Sequence, residues 1–532
     1  MLTMWATWAG VVSGLGLVLI GANREATPVT APTTLLTRPE RGIGDTVAAA
    51  TVVSVYVLLL LIIDRFWTTT AIGLVLIVLL WAGNRLKVAI LNEVLVFSDI
   101  FLAGHALRYP RLYFGYAPKW IWPVLMAGVG VLGWSLTIEA PMNVFTGLER
   151  LGLISLWAVM FGLMACKMAR PSEGIKAFLS KHPLSFDTQT DAWAYTPLGA
   201  VLLHVLWHGQ RRHVIRERFA IKADMTAGMA EETGDAGMKE GEGSKGHHLL
   251  IQAESFVPVG ELLGRPSRTP EIDDLMRRTT SGRLELDWRG AYTMRTEFAV
   301  LTGHAPRELE TYGFDPYRLA AMIPMKSLAR TFKTKGWRTV VCHPNDARFF
   351  ERDKVMCHLG FDEFIDLADL QARWPHLKDK SSLCGHYVSD EALMAWAADY
   401  LKEVKEPTFL FIITMEAHGP WDAAKFEGAD MLTEVERYEV HLAHLDSGLA
   451  KVKRAQAGGL PLSVLMYGDH LPGLDVLRAC TANIPADTRW VMWNEREVNL
   501  MTIGPEEGKS SSLKPEHLGE AWLAKEARAG CV

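Results

Sequence analysis

The arrangement of hydrophobic and polar residues divides the chain into two unlike parts. In residues 1–170 apolar residues form long uninterrupted runs, such as VVSVYVLLLLII and AIGLVLIVLLWAG, whereas the later residues mix charged and apolar side chains as globular domains do. Runs of roughly 15–20 apolar residues are near the length that crosses the hydrocarbon of a bilayer. We therefore predict a polytopic α-helical membrane domain with about five spans, near residues 4–21, 47–64, 68–83, 119–138 and 150–168.

Two segments of different composition follow this part. The stretch DAWAYTPLGAVLLHVLWHGQRRHVIRERF, within residues 171–221, has a short apolar run and a basic end. This pattern favours an interfacial helix, with a sixth span as the alternative. Residues 222–246 are rich in Gly, Ala and Glu and lack aromatic residues, which predicts a flexible linker. The expected organisation is a membrane domain over 1–170, interfacial helices and a linker over 171–246, and a folded domain over 247–532.

Beyond the linker, apolar runs alternate with helical patterns, which predicts a mostly parallel sheet covered by helices. Ser389, followed by Asp390, begins one predicted helix. Thr433 and Glu436 have the spacing of a capping box at the start of another. The predicted strands cover 248–253, 337–342, 408–414, 462–467 and 489–493.

Composition narrows the function classes. The net charge of −5 over 532 residues, without an arginine-rich stripe, argues against a nucleic-acid partner. The six cysteines lack the C-x-x-C spacing of zinc ribbons and thioredoxin-like proteins. Five of them lie in the non-membrane part, where disulfides are an open alternative if that part is extracytoplasmic.

Three polar positions close apolar runs that are typical of buried strands. Glu254 follows HLLIQA, His418 ends TFLFIITMEAH, and Asp469 and His470 follow LSVLMYG. Taken singly, Glu254 could be an exposed carboxylate, His418 a hydrogen-bonded ring, and Thr293 a helix N-cap. Because the carboxyl ends of parallel strands converge on one edge, we expect these residues to share one pocket.

The order of these residues and their flanking motifs resembles the alkaline phosphatase superfamily, and within it the lipoteichoic acid synthase and phosphoglycerol transferase family. The matching segments are AESF, TMRTEF followed by LTG, FFERD, LGFDEF, MEAHGPW and YGDHLPGL. The resemblance implies a sulfatase-like α/β catalytic domain over 247–532 behind a membrane part. Phosphoethanolamine transferases are a more distant relation, because YGDHLPGL and the Thr-x-x-x-Glu-Phe spacing look more like the glycerol-phosphate branch.

Residue roles follow from the same resemblance. It implies that one divalent metal, Mn²⁺ or Zn²⁺ with Mg²⁺ as an alternative, is bound by Glu254, Thr293, Asp469 and His470. Thr293 takes the nucleophile position, with Thr296 as a competing candidate. In the remaining positions, Arg352 and Phe350 match substrate-binding residues, and His418 matches a histidine beside the phosphoryl group.

The implied activity is transfer of glycerol phosphate from phosphatidylglycerol in the bilayer to an extracytoplasmic glycan, through a covalent threonine intermediate. Alternatives are a phosphoethanolamine transferase acting on lipid A or a glycan, a phosphodiesterase, and a non-catalytic protein that kept the fold. The chemistry implies a multi-pass protein of the cytoplasmic membrane with its catalytic domain facing the periplasm or cell exterior. The loop charges indicate the opposite orientation, because basic residues are enriched in cytoplasmic loops. Only Arg65 and Arg150 lie in the predicted loops on the far side of the membrane from the catalytic domain. The predicted loops on the same side as that domain contain Arg24, Arg38, Arg41, Arg85, Lys87, Arg108 and Arg111.

Overall fold

The computed structural model separates the chain into two compact units, Met1–Ile215 and Arg216–Val532. The described residues are 21, 40–91, 93–100, 108, 121–221, 246–288, 290–479, 486–501 and 510–529. The first predicted span, at 4–21, and the predicted linker therefore lie almost wholly outside the described residues. None of the four cysteines in the described part, Cys166, Cys342, Cys357 and Cys384, forms a disulfide.

The first unit is helical, as the apolar runs predict. Among the described residues, three helices are long and apolar enough to cross a membrane: Arg41–Ile63, Phe66–Val88 and Gly147–Met168. A shorter apolar helix covers Met126–Ile138. A membrane part followed by an α/β domain is thus confirmed, while the number of five spans stays a prediction. The described helices are Arg41–Ile63, Phe66–Leu91, Ile121–Ile138, Gly147–Ala169, Glu173–Lys181, Thr188–Tyr195 and Pro197–Phe219, the last of which extends past the end of this unit at Ile215.

Polar groups at the ends of these helices are paired. Glu139 accepts hydrogen bonds from the backbone N–H groups of Trp67 and Thr68, at 2.8 and 2.7 Å, and so caps the helix that begins at Phe66. Arg150 forms a 2.7 Å ion pair with Asp64. A carboxylate near a helix N-terminus is stabilised by the unpaired N–H groups there. These contacts join the two short predicted loops at 65–67 and 139–149, as expected for loops on one face of a membrane.

One predicted boundary in this unit is wrong. The third predicted span ends at residue 83, but the helix continues to Leu91. Polar residues in this last part have partners, because the Lys87 ammonium lies 2.7 and 2.9 Å from the two carboxylate oxygens of Asp99. The sequence reasoning treated the charges after residue 83 as a loop signal, whereas tertiary pairing allows them to remain helical.

The second unit is built on one eight-stranded sheet with the order β10-β2-β9-β8-β1-β7-β3-β4. Strand β9 runs antiparallel to β8 and β2, and the other pairs are parallel. The mostly parallel sheet of the sequence prediction is therefore confirmed. Its strands are β1 His247–Ala253, β2 Thr280–Leu284, β3 Arg338–Cys342, β4 Glu363–Ile365, β7 Thr408–Ile413, β8 Leu462–Gly468, β9 Thr488–Asn494 and β10 Ser510–Leu513, and a separate hairpin contains β5 Leu383–Cys384 and β6 Tyr387–Val388.

Both faces of the central strand β1 are covered. Leu249 and Ile251 belong to the main hydrophobic core on one face, whereas His248 packs against the rings of Phe332 and Trp522 on the other. Successive side chains of a strand point to opposite faces, so a continuous apolar run is what a strand covered on both faces requires.

Helices cover the sheet. The α-helices of this unit are Val259–Leu263, Pro270–Arg278, Thr293–Thr302, Tyr317–Ala320, Leu328–Thr334, Arg352–Leu359, Leu367–Arg373, Asp390–Glu403, Glu434–Ala457, Asp475–Ala479, Glu495–Met501 and Pro515–Ala529. Short 3₁₀ helices cover Pro306–Phe314, Phe349–Glu351, Pro375–Lys378, Lys380–Ser382 and Ala429–Met431. The predicted helix starts are confirmed: Ser389 caps one helix through the Ala392 N–H, and Thr433 and Glu436 form the capping box of another.

Five short strands escaped the sequence prediction: β2, the two edge strands β4 and β10, and the hairpin strands β5 and β6. The sequence of β2, TSGRL, has neither an apolar run nor strict alternation. The glycine in this strand is required by tertiary packing, because a Cβ on Gly282 would lie 1.6 Å from the carbonyl oxygen of Ser511 in β10. Because this glycine is required by the close approach of a neighbouring backbone, the pattern of hydrophobic residues in the sequence does not reveal the strand.

Gly468, the last residue of β8, provides a test of the packing at the sheet edge. A Cβ at this position would meet the carbonyl oxygen of Phe256 at 2.1 Å, so Gly468→Ala should lower stability by about 1–3 kcal/mol through overpacking. The matched control is Gly174→Ala, where nothing lies within 4 Å and the residue is helical. Thermal unfolding of the two purified full-length variants should show destabilisation only for Gly468→Ala; equal unfolding midpoints would contradict the packing described here.

Candidate active site at the carboxyl edge of the sheet

Four neighbouring parallel strands bring the candidate residues to one edge. In the order β8-β1-β7-β3, Ala253 is in register with Gly468, Gln252 with Ile413, and Ile412 with Cys342. The residues that follow these strands therefore emerge side by side, which the convergence of parallel strand ends predicts. They are Glu254 after β1, Asp469 and His470 after β8, the segment 414–418 after β7, and His343 after β3.

Glu254, Asp469 and His470 form a tight, buried group. One ligand-type atom from each lies within 4.8 Å of the other two. His470 Nε2 is 3.4 Å from Glu254 Oε1 and 3.4 Å from Asp469 Oδ2. All three side chains are at most 5% exposed. The structure thus brings together three of the four residues that the sequence prediction assigns to the metal.

The loop after Glu254 fixes this group through an unusual backbone conformation. Ser255 has a φ of +54°, in the left-handed region that non-glycine residues rarely adopt. In this position its N–H donates to Asp469 Oδ1 at 2.8 Å, and its hydroxyl donates to Glu254 Oε1 at 2.8 Å. Backbone strain of this kind is concentrated at functional sites. Ser255 therefore holds both carboxylates at once.

The electrostatics of the group are those of two acids held too close together. Burial, and then the charge of Glu254, raise the pKa of Asp469 to about 7. Burial alone would raise the pKa of Glu254 as well, but hydrogen bonding and charge from His470 outweigh it and lower that pKa to about 2. Against the effect of burial, Asp469 and Glu254 raise the pKa of His470 to about 9. The pocket favours positive charge.

The residues present fit a divalent metal. Asp469 Oδ2 is buried and has no hydrogen-bond partner among the described residues, a costly state for a carboxylate oxygen without a cation. Two carboxylates and one imidazole, with a threonine hydroxyl nearby, form a donor set that suits Zn²⁺ or Mn²⁺. Glu254, Asp469, His470 and Thr293 are the residues that would hold it.

Thr293 lies at the start of the helix Thr293–Thr302. The sequence alternative of an N-cap is wrong, because Tyr292 takes that position. The Thr293 hydroxyl is close enough to the Asp469 carboxylate to lower its pKa, although burial dominates. Thr296 is fully buried, and its hydroxyl donates to the carbonyl oxygen of Asp469 at 2.6 Å. Of the two candidate nucleophiles, Thr293 is partly exposed and Thr296 supports the loop.

His418 lies in the loop after β7, and its Nδ1 is 2.7 Å from the carbonyl oxygen of Gly419. Burial lowers the pKa of His418, with smaller opposing and supporting effects from Glu254 and Lys425. The charges of Glu254 and His418 influence each other, which places the ring beside the acidic group. A ring with a lowered pKa releases a proton readily and is available as a base when neutral.

Arg352 is placed by a buried ion pair. Its guanidinium is 2% exposed, and Nη2 donates to Glu297 Oε2 at 3.1 Å. Glu297 also accepts hydrogen bonds from Gln252 and Tyr317. The Phe350 ring centroid is 5.6 Å from Arg352 Cζ, so these two predicted substrate residues are neighbours. Their role toward a substrate stays a prediction.

His343 is a site residue that the sequence reasoning missed. Its Nε2 lies 3.3 Å from Arg352 Nη1, and burial followed by the Arg352 charge lowers its pKa to about 3. The charges of Glu254 and His418 have smaller effects on this pKa. The signal was available, because His343 directly follows an apolar predicted strand, just as Glu254 and Asp469 do.

The mostly parallel sheet with its acidic edge, in a chain that also carries apolar membrane-length helices, has the fold of the alkaline phosphatase and sulfatase superfamily, which confirms the predicted fold class. The sequence profile of the sulfatase family matches residues 247–517, just over half of the chain. The protein belongs to the sulfatase family.

Named relatives are consistent with this assignment. The capsular polysaccharide biosynthesis protein RkpI of Rhizobium meliloti is 28% identical over 411 residues, which cover 73% of this chain and 70% of that protein. Lipoteichoic acid synthase 1 of Bacillus subtilis is 25% identical over 144 residues, only 26% of this chain and 22% of the synthase. The predicted resemblance to lipoteichoic acid synthases is confirmed at this level.

A solved structure shares the architecture of almost the whole chain. The lipooligosaccharide phosphoethanolamine transferase A of Neisseria meningitidis, an integral membrane protein, aligns with a TM-score of 0.52 at 13% identity. The alignment covers 97% of this chain and 94% of the transferase. This likeness supports the fold, with membrane helices and a sulfatase-like domain in one chain.

The ion pair between Glu297 and Arg352 allows a stability test. Glu297→Ala should destabilise the protein by about 3–5 kcal/mol, since it leaves a buried guanidinium without its counter-charge. The control is Asp399→Ala, which removes an exposed ion pair with Lys402 and should change stability by less than about 1 kcal/mol. Denaturant unfolding of both variants measures the difference. A small effect of Glu297→Ala would show that Arg352 is not buried as described.

Proposed function

We propose that this protein is a phosphoglycerol transferase that moves glycerol phosphate from phosphatidylglycerol to a glycan outside the cytoplasmic membrane. The observation that carries the proposal is the position of Thr293. A partly exposed hydroxyl lies at a helix N-terminus, beside the carboxylate of a buried acid–histidine group, and lowers the pKa of that carboxylate. Helix N-termini bind phosphate groups well, because their N–H groups are unpaired and the helix dipole favours negative charge.

In the first half of the reaction, Thr293 Oγ attacks the phosphorus of the lipid. The Oγ–P bond forms as the bond from phosphorus to the diacylglycerol oxygen breaks. Asp469 accepts the hydroxyl proton, and protonated His418 gives its proton to the leaving diacylglycerol. The low pKa of His418 favours this donation. The products are diacylglycerol and glycerophosphoryl-threonine.

The second half reverses these roles. Neutral His418 takes the proton from a glycan hydroxyl, whose oxygen attacks the same phosphorus. The Oγ–P bond breaks, and Thr293 recovers its proton from Asp469. Arg352 and Phe350 are proposed to contact the glycerophosphoryl group. A bound divalent ion would lower the charge density of the acidic group and the phosphoryl oxygens and would favour the alkoxide form of Thr293.

The proposed substrates agree with two independent features. The apolar helices of the first unit anchor the enzyme at a lipid donor. The relative RkpI carries a name that refers to a capsular polysaccharide, which supports a glycan acceptor. A glycan acceptor outside the membrane requires the catalytic domain on the extracytoplasmic side, whereas the loop charges indicate the other side.

The nucleophile can be identified directly. Full-length protein with Mn²⁺ and phosphatidylglycerol should release diacylglycerol and gain a glycerophosphoryl mass on Thr293, and Thr293→Ala should lower turnover by at least about 10³-fold. Thr296→Ser is the control, since it keeps the hydroxyl that hydrogen-bonds Asp469. It should retain most activity. Metal removal by a chelator should abolish turnover, and Mn²⁺ or Zn²⁺ should restore it.

The same assay separates the alternatives. An adduct formed only from phosphatidylethanolamine would replace this proposal with a phosphoethanolamine transferase. Product release with water as the sole acceptor would indicate a phosphodiesterase. Neither adduct nor release from a protein with confirmed metal content would point to a non-catalytic member of the family.

Orientation requires its own experiment. A reporter enzyme that is active only outside the cytoplasm, fused after Val532, should be active. The same reporter fused after Asn143, in the loop between the last two predicted spans, should be inactive. One predicted span separates this loop from the catalytic domain, so the two lie on opposite sides of the membrane. Reversed activities would place the catalytic domain in the cytoplasm and overturn the proposed acceptor.

A further inference from the structure

A second group of metal-binding side chains lies outside the proposed active site. It contains Cys384 from the hairpin β5–β6, Glu416 from the loop after β7, and His441 and His444 from the helix Glu434–Ala457. Ligand-type atoms of Cys384, Glu416 and His444 all lie within 4.8 Å of one another. The mechanism above uses none of these side chains.

Glu416 joins the other members of this group. Its Oε1 is 2.9 Å from His441 Nδ1 and 2.6 Å from His444 Nδ1. The Cys384 Sγ lies 3.7 Å from His441 Nδ1. The two histidines are three positions apart on one helix, so they share a face. One thiol, one carboxylate and two imidazoles thus converge from three separate segments.

These distances are close to those of a zinc site. With Zn–S near 2.3 Å and Zn–N near 2.0–2.1 Å, sulfur and nitrogen ligands of a tetrahedral ion are about 3.6 Å apart. The observed separation between Cys384 and His441 is 3.7 Å. Oxygen and nitrogen ligands would be about 3.3 Å apart, so the contacts of Glu416 with His441, at 2.9 Å, and with His444, at 2.6 Å, both have to lengthen. A small side-chain rotation achieves this.

The surroundings of the group favour a cation. Glu416 is fully buried, and Asp390, whose N–H donates to Glu416 Oε2 at 2.6 Å, is 1% exposed. Asp390 Oδ1 and His441 Nε2 are buried and lack hydrogen-bond partners among the described residues. The Lys425 ammonium lies nearby but is 4.7 Å from the Tyr387 ring centroid and donates to the carbonyl oxygen of His418. Two buried acids, Glu416 and Asp390, are therefore neighbours, and one carboxylate oxygen of Asp390 has no hydrogen-bond partner among the described residues.

An ion has a route into this group. The His444 side chain is 34% exposed, whereas those of His441 and Glu416 are fully buried. Metal sites need a complete ligand set, plausible distances and an entry path, and the group meets all three conditions. Thiolate together with imidazole selects zinc over the harder ions Mg²⁺ and Ca²⁺.

We propose that Cys384, Glu416, His441 and His444 form a second metal site, which binds Zn²⁺ and has a structural role. Cys384, Glu416 and His444 already lie within 4.8 Å of one another, and His441, which contacts the first two, supplies the fourth protein ligand that structural zinc sites have. The site ties the hairpin β5–β6 and the helix Glu434–Ala457 to the loop after β7. Glu416 is two residues before His418, so the bound ion fixes the segment that carries the proton-transferring ring.

Cobalt substitution tests the proposal on the full-length protein. Co²⁺ bound by a thiolate gives a sulfur-to-metal absorption band in the near ultraviolet, and the residues of the active site include no cysteine. The band should appear in the wild-type protein and persist in Glu254→Gln, which impairs only the active-site metal. It should be absent from Cys384→Ser and retained in Cys357→Ser, whose cysteine is exposed. Zinc content should be about two ions per chain in the wild type and about one in Cys384→Ser.

The result does not depend on the proposed activity, because Glu254→Gln separates the two metals. A wild-type protein that binds cobalt without the sulfur band would overturn the proposal and leave the group as a hydrogen-bonded network. Persistence of the band in Cys384→Ser would also overturn it. If Cys384→Ser does not fold, the His444→Gln variant is used for the test. The His444 side chain is partly exposed, so its substitution is better tolerated by the fold. We expect the zinc dissociation constant of this site to rise at least about tenfold in His444→Gln, and an unchanged constant would contradict the proposal.

Discussion

The close placement of two buried carboxylates determines much of this protein. Glu254 and Asp469 emerge from neighbouring strands, and like charges in a poorly solvated pocket repel unless cations or hydrogen-bond donors intervene. Ser255 adopts a left-handed backbone to donate to both, His470 lies between them, and the helix that begins at Thr293 presents its N-terminus to Asp469. The groups around the sheet edge thus supply the hydrogen-bond donors and the positive charge that allow the two carboxylates to stay buried.

Strand continuity made much of the fold predictable. The runs HLLIQA, TFLFII and LSVLMYG are buried on both faces, so their sequences show uninterrupted hydrophobicity that is easy to recognise. The residues after them could be placed at one edge from topology alone. In contrast, β2 and β10 are polar and exist because a neighbouring strand approaches closely, which a single sequence does not display.

The site was predictable only in part, for a similar reason. Glu254, Asp469 and His470 follow apolar runs, and their proximity agrees with the expectation. The partner of Arg352 was not predictable, because Glu297 lies on a helix 55 positions earlier and its pairing depends on tertiary packing. Likewise, the histidines at 441 and 444 have a visible three-residue spacing, but Cys384 joins them only through the folding of a separate hairpin. Sequence reasoning found most of the site residues that follow strands, although it missed His343, and it did not find the pairing of side chains from separate segments.

The sheet order also has a consequence for how the chain folds. The central strand β1 is synthesised first, yet contacts at its carboxyl end reach across 160 positions to Thr414 and 214 positions to Asp469. Such non-local pairing is slow, because it closes long loops. Until its partner strands are available, an unpaired apolar strand is prone to aggregation. The acid–histidine group therefore cannot form until β8 and the residues after it have been synthesised. A chain interrupted before β8 would have neither a complete sheet nor any of the chemistry at its edge.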